Sequence, residues 1–405
     1  ASWSDWMDFV DSHAVRSILA DAPGDWSHYA RAPLLRLQHE CRDVSLRGMD
    51  CVVGGNIPIG AGLSSSSALV VAFAEAAVAL NGLNVAMRDL VDLCGEGEWF
   101  VGSRGGSADH AAIRTSRIGM ISQIGFFPFR LMGEVKFPES LRVVIAYSGS
   151  RAIKSAGARD IFNQRVACYR IGELLLRRKW LAAAGIEHLR DLTPGRLNVA
   201  PGEIYRGLMN LPDRPTRKQL SKIVPKTDHD QLENILSSHA DVGPYDLRGV
   251  VLFGLSEILR AERYTESVRQ ARLDSIGQLM QSSHDGDRVV TFDPSGKPRR
   301  FSPPLTDTVL KRLAAAGADI AEQFGRYACS TEAIDELVDL AGGTDGVVGA
   351  QIAGAGLGGC MMIVVRADAL DGLLDRLNED FYRPRKLTPA AHACTPVAGA
   401  GLLGA

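Results

Sequence analysis

A glycine-rich turn followed by four serines and a long apolar run constrains this 405-residue chain more than any other feature. Residues 56–82 read NIPIGAGLSSSSALVVAFAEAAVALNG. Pro58 and the glycines at 60 and 62 allow a tight turn. The apolar residues at 68–80 predict a buried helix, and residues 49–53 before the turn predict a short strand. The stretch therefore predicts a strand, a tight loop and a buried helix in direct succession.

A loop of this kind is a candidate anion site. The first amide groups of a helix have no partner within the helix, and together with the helix dipole they favour a bound phosphate. Serine hydroxyls add oxygen ligands for a phosphate group or a metal ion. The alternative is an ordinary tight turn with a serine N-cap before a core helix. The loop alone does not decide between the two.

Composition limits the classes of protein to which the chain can belong. Hydrophobic residues make up 46% and charged residues 23% of the chain, which is typical of a globular protein, and the length suits two or three domains. A net charge of −2 gives no electrostatic reason to expect a nucleic acid or membrane partner. The seven cysteines form no C-x-x-C pair, so they predict neither a zinc site nor a disulfide framework.

The same features favour a cytoplasmic protein. Isolated cysteines in odd number are typical of a reducing compartment. We see no signal peptide, and the apolar run at 68–80 is too short to span a bilayer.

Predicted strands and helices alternate along the chain, which indicates an α/β or α+β architecture. The predicted strands cover residues 119–124, 141–146, 347–352 and 360–365. The predicted helices cover residues 87–100, 159–182, 250–280, 306–324 and 367–378. Between them, six prolines break the region 185–245 into short helices and loops, so we expect a surface insertion there.

A second glycine-rich loop, GAGLGG at 354–359, satisfies the pattern G-x-G-x-x-G. That fingerprint binds a dinucleotide only where a helix follows it. Here the strand-forming residues 361–365 follow, so we do not expect a dinucleotide site. The motif G-x-x-x-x-G-K-[ST] of P-loop NTPases is also absent from the sequence. The loop at 60–66 is therefore the one with a strand–loop–helix setting.

Two carboxylates farther along the chain are candidates to act together with this loop. Glu98 ends a predicted helix, and Asp109 follows a Gly-Gly turn. Phosphoryl transfer needs a metal near the β- and γ-phosphates and a group that orients or deprotonates the attacking hydroxyl. By residue type alone, a solvated Glu98 and a capping Asp109 are the more common outcome. Arg151 and Lys154 can approach phosphate or lie in a solvated loop, and a structural role suits His284 better than that of a base or ligand.

Together these motifs resemble the sugar kinases of the GHMP superfamily and, within it, the galactokinase family. The loop at 57–67 is similar to the family's P-x-G-x-G-L-S-S-S-A, and EWFVGSRGGSADH at 98–110 resembles E-R-Y-x-G…G-G-G-M-D-Q. Three later segments resemble F-G-x-L-M-x-x-S-H, S-x-E-x-D-x-L and G-x-G-x-G-G-C, at 276–284, 327–337 and 354–360. The spacing is closest to the branch that includes N-acetylgalactosamine kinase.

The resemblance implies an α+β, GHMP kinase-like fold with two domains. Residues 1–150 would form a ribosomal-protein-S5-like N-terminal domain, and residues 151–405 a ferredoxin-like C-terminal domain with a helical insertion at about 185–245. The implied activity is transfer of the γ-phosphoryl group of ATP to the C1 hydroxyl of galactose or a galactose-like sugar. Mg²⁺ is the implied metal ion.

The resemblance also implies the residues of the site. The backbone of the 60–66 loop would cradle the phosphates, through Gly60, Ala61, Gly62, Leu63, Ser64, Ser65 and Ser66. Ser66 and Glu98 would hold Mg²⁺, and Asp109 would orient or deprotonate the C1 hydroxyl. Gly106 would lie beside the sugar, and the 354–359 loop would close over the site.

The sequence departs from the family pattern at several points. The opening motif G-R-V-N-L-I-G-E-H-x-D is absent, so we expect either a fragment or processed form of a longer kinase, or an incomplete sugar site. The family's sugar-contacting tyrosine has no clear counterpart, since Ile161 or Phe162 lies near its place. His110 replaces a glutamine, and Ala108 replaces a methionine.

Two alternatives stay open. The absent opening motif favours a catalytically impaired sensor that binds sugar and ATP. The other alternative is a different small-molecule kinase of the same superfamily, although the segments at 283–284 and 330–332 favour the galactokinase branch. The sequence leaves the exact sugar open. It also leaves the oligomeric state open, with a monomer as the expectation.

Overall fold

The computed structural model describes residues 5–125, 129–152 and 156–403. The chain forms two compact units. The first contains Ala1–Ile59, Leu63–Phe137 and Thr395–Ala405, and the second contains Gly60–Gly62 and Pro138–Cys394. This division differs from the predicted domain boundary at residue 150, because the strand at 141–147 pairs with strands of the second unit.

Helices dominate the first unit. They are α1 (Trp6–Val10), α2 (His13–Asp21), α3 (Ser27–Glu40), α4 (Ser65–Leu80), α5 (Met87–Glu98) and α6 (Ala108–Thr115), with a 3₁₀ turn at Trp99–Val101. Two antiparallel strands follow, β1 (Met120–Gly125) and β2 (Arg130–Lys136). The predicted helix over residues 87–100 and the predicted strand at 119–124 are confirmed, whereas β2 was not predicted.

The apolar run at 68–80 forms the buried helix that its composition predicts. Val70 and Ala74 of α4 pack in one core cluster with Leu37 of α3 and Leu90 of α5. Asn81 caps the C-terminal end of α4. This packing fixes the helix whose first turn carries the serines.

The predicted strand at 49–53 is wrong. Residues 45–56 have no regular secondary structure, and the side chain of Val52 is fully exposed. A strand needs a neighbour to satisfy its backbone N–H and C=O groups. Within the described residues no strand pairs with this segment, so its β-forming residues alone do not make it a strand.

A four-stranded antiparallel sheet lies in the second unit. Its strands are β3 (Leu141–Tyr147), β6 (Val347–Ile352), β7 (Cys360–Arg366) and β8 (Ala391–Cys394), in the spatial order β6-β7-β3-β8. A separate hairpin joins β4 (Val290–Phe292) to β5 (Pro298–Arg300). The predicted strands at 141–146, 347–352 and 360–365 are confirmed.

Two helices cover one face of this sheet. They are α15 (Glu332–Gly342) and α16 (Leu370–Leu377), and a short π-helix at Asn378–Tyr382 extends α16. Inward-facing Val144 and Ile363 pack in one cluster with Leu337 and Leu373 of these helices. The sheet thereby gains an apolar core on that face.

In the part of the chain that the structure describes, the second unit has eight further helices. They are α7 (Ala156–Lys179), α8 (Pro194–Leu197), α9 (Pro201–Leu208), α10 (Arg217–Ile223), α11 (His229–Leu236), α12 (Leu247–Arg269), α13 (Leu273–Asp287) and α14 (Asp307–Ala316). All of them except α13 contribute to a larger apolar cluster. Short 3₁₀ turns occur at Leu181–Ala183, Leu189–Asp191, Lys226–Asp228, Ile320–Glu322 and Ala367–Ala369.

The region 185–245 consists of short helices, as its prolines predict. Pro194 and Pro201 begin α8 and α9, where a missing N–H costs no helical hydrogen bond. The region also contributes to a core, because Tyr205 and Leu232 are buried against the long helices α7 and α12.

Two predicted helices end earlier than their patterns suggest. The helix predicted for 250–280 is two helices, and Ala271 between them adopts a left-handed conformation with φ of 52°. The helix predicted for 306–324 begins with Thr306 as its N-cap, as expected, but ends where Gly317 becomes left-handed with φ of 57°. A left-handed residue is a common helix terminator. No helix among the described residues is long and apolar enough to cross a membrane.

Buried acidic groups lie at the end of α13. Asp287 Oδ1 accepts the N–H of Cys329 at 3.3 Å, and Asp335 Oδ2 accepts the N–H groups of Val289 and Val290. His284 Nε2 lies 3.2 Å from Asp335 Oδ1, and its side chain is 0% exposed. This burial suits the structural role that the sequence favoured for His284.

Asp287 makes the stability of the fold depend on pH. Burial raises the pKa of Asp287 to about 8, and the charges of Glu257 and Asp335 add to the shift, while Arg165 opposes it. An aspartate in an unfolded chain has a pKa of about 3.9. The folded state therefore keeps a proton that the unfolded state releases, and the stabilisation present below pH ~4 is lost as the pH rises to about 8.

We expect Asp287→Asn, which cannot ionise, to become more stable relative to the wild type as the pH rises from 5 to 8. Thermal midpoints of both proteins at several pH values would measure this. Asp345→Asn, at an exposed position of the same unit, is the matched control and should show a constant difference. A constant difference for Asp287→Asn as well would contradict the assignment.

Candidate active site

The tip of the first glycine-rich loop, Gly60–Gly62, has a backbone that favours glycine. Gly60 and Gly62 adopt φ of 74° and 72°, a region that other residues rarely enter. The N–H of Ala152 donates to the carbonyl of Gly60 at 2.7 Å. The side chain of Arg151 lies beside this tip, at 3.8 Å from the place that a Cβ on Gly60 would occupy.

The second glycine-rich loop, at 354–359, packs against this tip. A Cβ on Gly359 would lie 2.6 Å from the carbonyl oxygen of Ala61, and one on Gly358 would lie 2.5 Å from that of Arg151. Any residue other than glycine at these two positions would therefore clash with the main chain. Strand β7 follows the loop directly, so the setting of a dinucleotide fingerprint is absent. The two loops therefore meet backbone to backbone.

Hydrogen bonds hold the second loop from its other side. The N–H of Gly359 donates to the carbonyl of Ser150 at 2.8 Å, and the N–H of Leu357 donates to that of Cys329 at 2.6 Å. Cys329 in turn donates its own N–H to the buried Asp287. The loop is thus linked through Cys329 to the buried Asp287 at the end of α13.

The serines begin α4 in the first unit. Ser64 is the N-cap and adopts a left-handed conformation with φ of 54°, and Ser65 to Ser67 form the first turn. The hydroxyl of Ser67, which is 3% exposed, donates to Glu98 Oε2 at 3.1 Å. Ser66, predicted as a metal ligand, is half-buried in the same turn. The structure therefore brings the serine turn to Glu98.

Glu98 is the last residue of α5 and is only 8% exposed. Its Oε2 atom lies 3.1 Å from Ser67 Oγ and 3.0 Å from His110 Nε2. A solvated position, which residue type alone favoured, is therefore not what the structure shows. The carboxylate lies where α4, α5 and α6 come together.

Helix α6 carries Asp109 in its first turn. The preceding Ser107 is buried, and its hydroxyl donates to Asp92 Oδ1 of α5 at 3.3 Å. Asp109 and Gly106 are exposed. An acid in the first turn interacts favourably with the helix dipole, and its exposure leaves it accessible to a ligand.

The oxygen atoms in the first unit suit a hard cation. Mg²⁺ is usually held by one or two carboxylates together with substrate phosphates and waters, and Glu98 with the serine hydroxyls offers that donor set. Among the described residues, no cluster of three or more His, Cys, Asp and Glu side chains can hold a metal. A Mg²⁺ ion held here would therefore take other ligands from phosphate and water.

Sequence reasoning did not predict the contacts of Ser67, His110 and Asp92. Ser67 is the fourth serine of the run and His110 directly follows Asp109, so both stood beside predicted site residues. Asp92 gave no signal, because its partner Ser107 is fifteen residues away in the sequence. Lys154 lies outside the described residues.

Two sequence profiles match the chain. The profile described as GHMP kinases N terminal domain matches residues 28–116, and the profile described as GHMP kinases C terminal matches residues 318–383. The first match contains the serine turn, Glu98 and Asp109, and the second contains the 354–359 loop. The chain belongs to the GHMP kinases.

Relatives of this GHMP kinase are named galactokinase. One from Dictyostelium discoideum is 24% identical over 84% of this chain and 66% of its own length. Another from Chloroflexus aurantiacus is 27% identical over 97% of this chain and 79% of its own length. The chain thus spans about two thirds to four fifths of the length of these two relatives.

A solved structure shares the fold. The structure of Lactococcus lactis galactokinase complexed with galactose matches with a TM-score of 0.60 at 19% identity, and the match covers 97% of this chain and 78% of that chain. At this identity the likeness concerns the fold. The predicted α+β, GHMP kinase-like fold is confirmed.

We expect Gly95→Ala to destabilise the protein, because Ser107 packs so closely against α5 at Gly95 that no room remains for a side chain. A Cβ on Gly95 would lie 2.8 Å from Ser107 Cβ and 3.0 Å from its Cα. Overpacking costs about 1–3 kcal/mol, which opposes the gain of about 1 kcal/mol from replacing a helical glycine by alanine. Urea unfolding would measure the net loss.

Gly372→Ala is the matched control for this measurement. Gly372 lies in α16, and a Cβ there would have nothing within 4 Å, so this variant should gain about 1 kcal/mol. An equal gain in Gly95→Ala would show that α5 and Ser107 are not in tight contact.

Proposed function

We propose that this protein is an ATP- and Mg²⁺-dependent sugar kinase that phosphorylates the C1 hydroxyl of galactose or a galactose-like sugar. The observation that carries the proposal is the buried contact between Glu98 and Ser67, in the first turn of the helix that follows the glycine-rich loop. It brings a carboxylate to a helix start that suits phosphate. The relatives named galactokinase support the choice of sugar.

The loop and the start of α4 would bind the phosphates of ATP. The backbone amides of Gly60, Ala61, Gly62, Leu63, Ser64, Ser65 and Ser66 are the proposed donors. The free amides of the first helical turn and the helix dipole favour the phosphate charge. Arg151 lies beside the loop tip and would add a positive charge there. The 354–359 loop would keep the tip in place.

Ser66 and Glu98 are the proposed ligands of Mg²⁺, and Ser67 is a neighbour that orients the carboxylate. When bound, the ion neutralises charge that develops on the β- and γ-phosphates. The protein contributes a buried carboxylate that accepts a hydrogen bond from Ser67. Catalysis of phosphoryl transfer depends mainly on such positioning and charge neutralisation.

Asp109 is the proposed residue that orients or deprotonates the sugar, with Gly106 beside the ring. The C1 oxygen would form a bond to the γ-phosphorus as the bond from that phosphorus to the bridging oxygen breaks. ADP leaves with the electron pair of the broken bond, and the hydroxyl proton passes to Asp109 and then to water. The exposed position of Asp109 at the start of α6 supports this role.

A sugar- and ATP-binding sensor without activity is less favoured, because the residues that the chemistry requires are present. Glu98 and Asp109 both occur in the chain, and Glu98 is buried and accepts a hydrogen bond from Ser67. A cytoplasmic location and a monomeric state remain predictions. Both rest on the sequence.

The test is ADP release in the presence of Mg²⁺ and ATP, measured with galactose, N-acetylgalactosamine, glucose, arabinose and mannose. We expect release with at least one galactose-like sugar. Asp109→Asn should lower the turnover about 10²- to 10⁴-fold, the usual contribution of a positioned acid–base group.

Asp89→Asn is the matched control, since Asp89 is an exposed aspartate in the first turn of α5. It should leave turnover unchanged. Full turnover in Asp109→Asn would remove that residue from the proposed mechanism. A wild-type protein that binds sugar and ATP but releases no ADP would favour the sensor instead.

A further inference from the structure

The imidazole of His110 is buried in the first unit against Glu98. The residue is 1% exposed, and its Nε2 atom lies 3.0 Å from Glu98 Oε2. Ser67 Oγ donates to the same carboxylate oxygen at 3.1 Å. Side chains from α4 and α6 therefore contact one oxygen of a carboxylate that ends α5.

This burial is costly for a histidine. Neither ring nitrogen completes a hydrogen bond of standard geometry with the part of the chain that the structure describes. A buried polar atom without a good hydrogen bond costs free energy. Because Nε2 is already at hydrogen-bond distance from Oε2, a small rotation of the carboxylate would complete the bond. The ring is thus placed to hold Glu98 in a slightly different orientation.

We propose that His110 is a positioning residue, which donates Nε2–H to Glu98 and holds this carboxylate in the orientation that binds the divalent cation. The proposal rests on the proposed function, in which Glu98 is a metal ligand. Groups that hydrogen-bond a metal ligand fix its orientation and strengthen metal binding. His110 and Ser67 together restrain Oε2, so the carboxylate loses little rotational freedom when the ion binds.

A role for His110 in reading the sugar fits the structure less well. Its ring is buried, whereas its neighbour Asp109 in the same helical turn is exposed. The exposed position is the one available to a substrate. His110 therefore acts on the reaction through Glu98.

The experiment is a titration of the full chain with Mn²⁺ in the presence of ADP, with the free ion measured by electron paramagnetic resonance. His110→Leu should bind Mn²⁺ about 10- to 100-fold more weakly than the wild type, the usual effect of removing a partner of a metal ligand. His110→Gln should bind close to wild type, because its amide N–H can donate to Oε2. Should His110→Leu not fold, His110→Asn, whose shorter amide does not reach Oε2, replaces it with the same expectation.

His28→Leu is the matched control for the loss of a buried histidine. His28 is 4% exposed in the same unit, and its Nε2 atom lies 3.0 Å from the carbonyl oxygen of Ala22. This variant loses stability but keeps the environment of Glu98, so its affinity for Mn²⁺ should be that of the wild type.

The outcomes separate this proposal from the proposed function, because sugar-dependent ADP release is measured on the same preparations. Equal Mn²⁺ affinity in the wild type and His110→Leu would overturn the positioning role even if the wild type is an active kinase. An equal loss in His110→Gln or in His28→Leu, or no binding by the wild type, would overturn it too. If the Mn²⁺ affinities of the variants follow the expected order but the protein releases no ADP with any sugar, the positioning role of His110 stands and the proposed sugar kinase activity does not.

Discussion

The buried contact of Glu98 with Ser67 and His110 is the interaction on which the rest of the site depends. It joins the ends of three consecutive helices, α4, α5 and α6. A carboxylate is seldom buried without partners, so the helices must approach closely enough to supply them. Gly95 permits that approach on α5, and Ser107 with Asp92 fixes the start of α6. The position of Asp109 follows from the same packing.

In the second unit, main-chain contacts rather than side chains hold the two glycine-rich loops against each other. The loop at 60–62 and the loop at 354–359 contact each other through main-chain atoms. Behind the second loop, Cys329 connects it to the buried Asp287. Asp287, whose pKa burial raises to about 8, thereby supports the second loop through Cys329.

The sequence predicted the helices and the central strands well, because their apolar periodicity is long and clear. The expectation that the serine turn binds phosphate and that Glu98 is a site residue came from a resemblance, because glycine and serine alone suit any helix start. The strand at 49–53 was wrong because strand formation depends on a pairing partner, which residue type does not report. The contacts of Ser67, His110 and Asp92 were not predicted for a similar reason. Each acts through a contact between distant segments, and one sequence does not reveal such contacts.

The crowding of the second loop has a genetic consequence. A Cβ on Gly356 would lie 2.1 Å from the carbonyl oxygen of Cys329, and those on Gly358 and Gly359 meet backbone at 2.5 Å and 2.6 Å. Every missense change in a glycine codon adds at least a Cβ. Any missense change at these three positions therefore places a Cβ too close to main-chain atoms. Variation that keeps this loop intact must therefore arise at other positions of the chain.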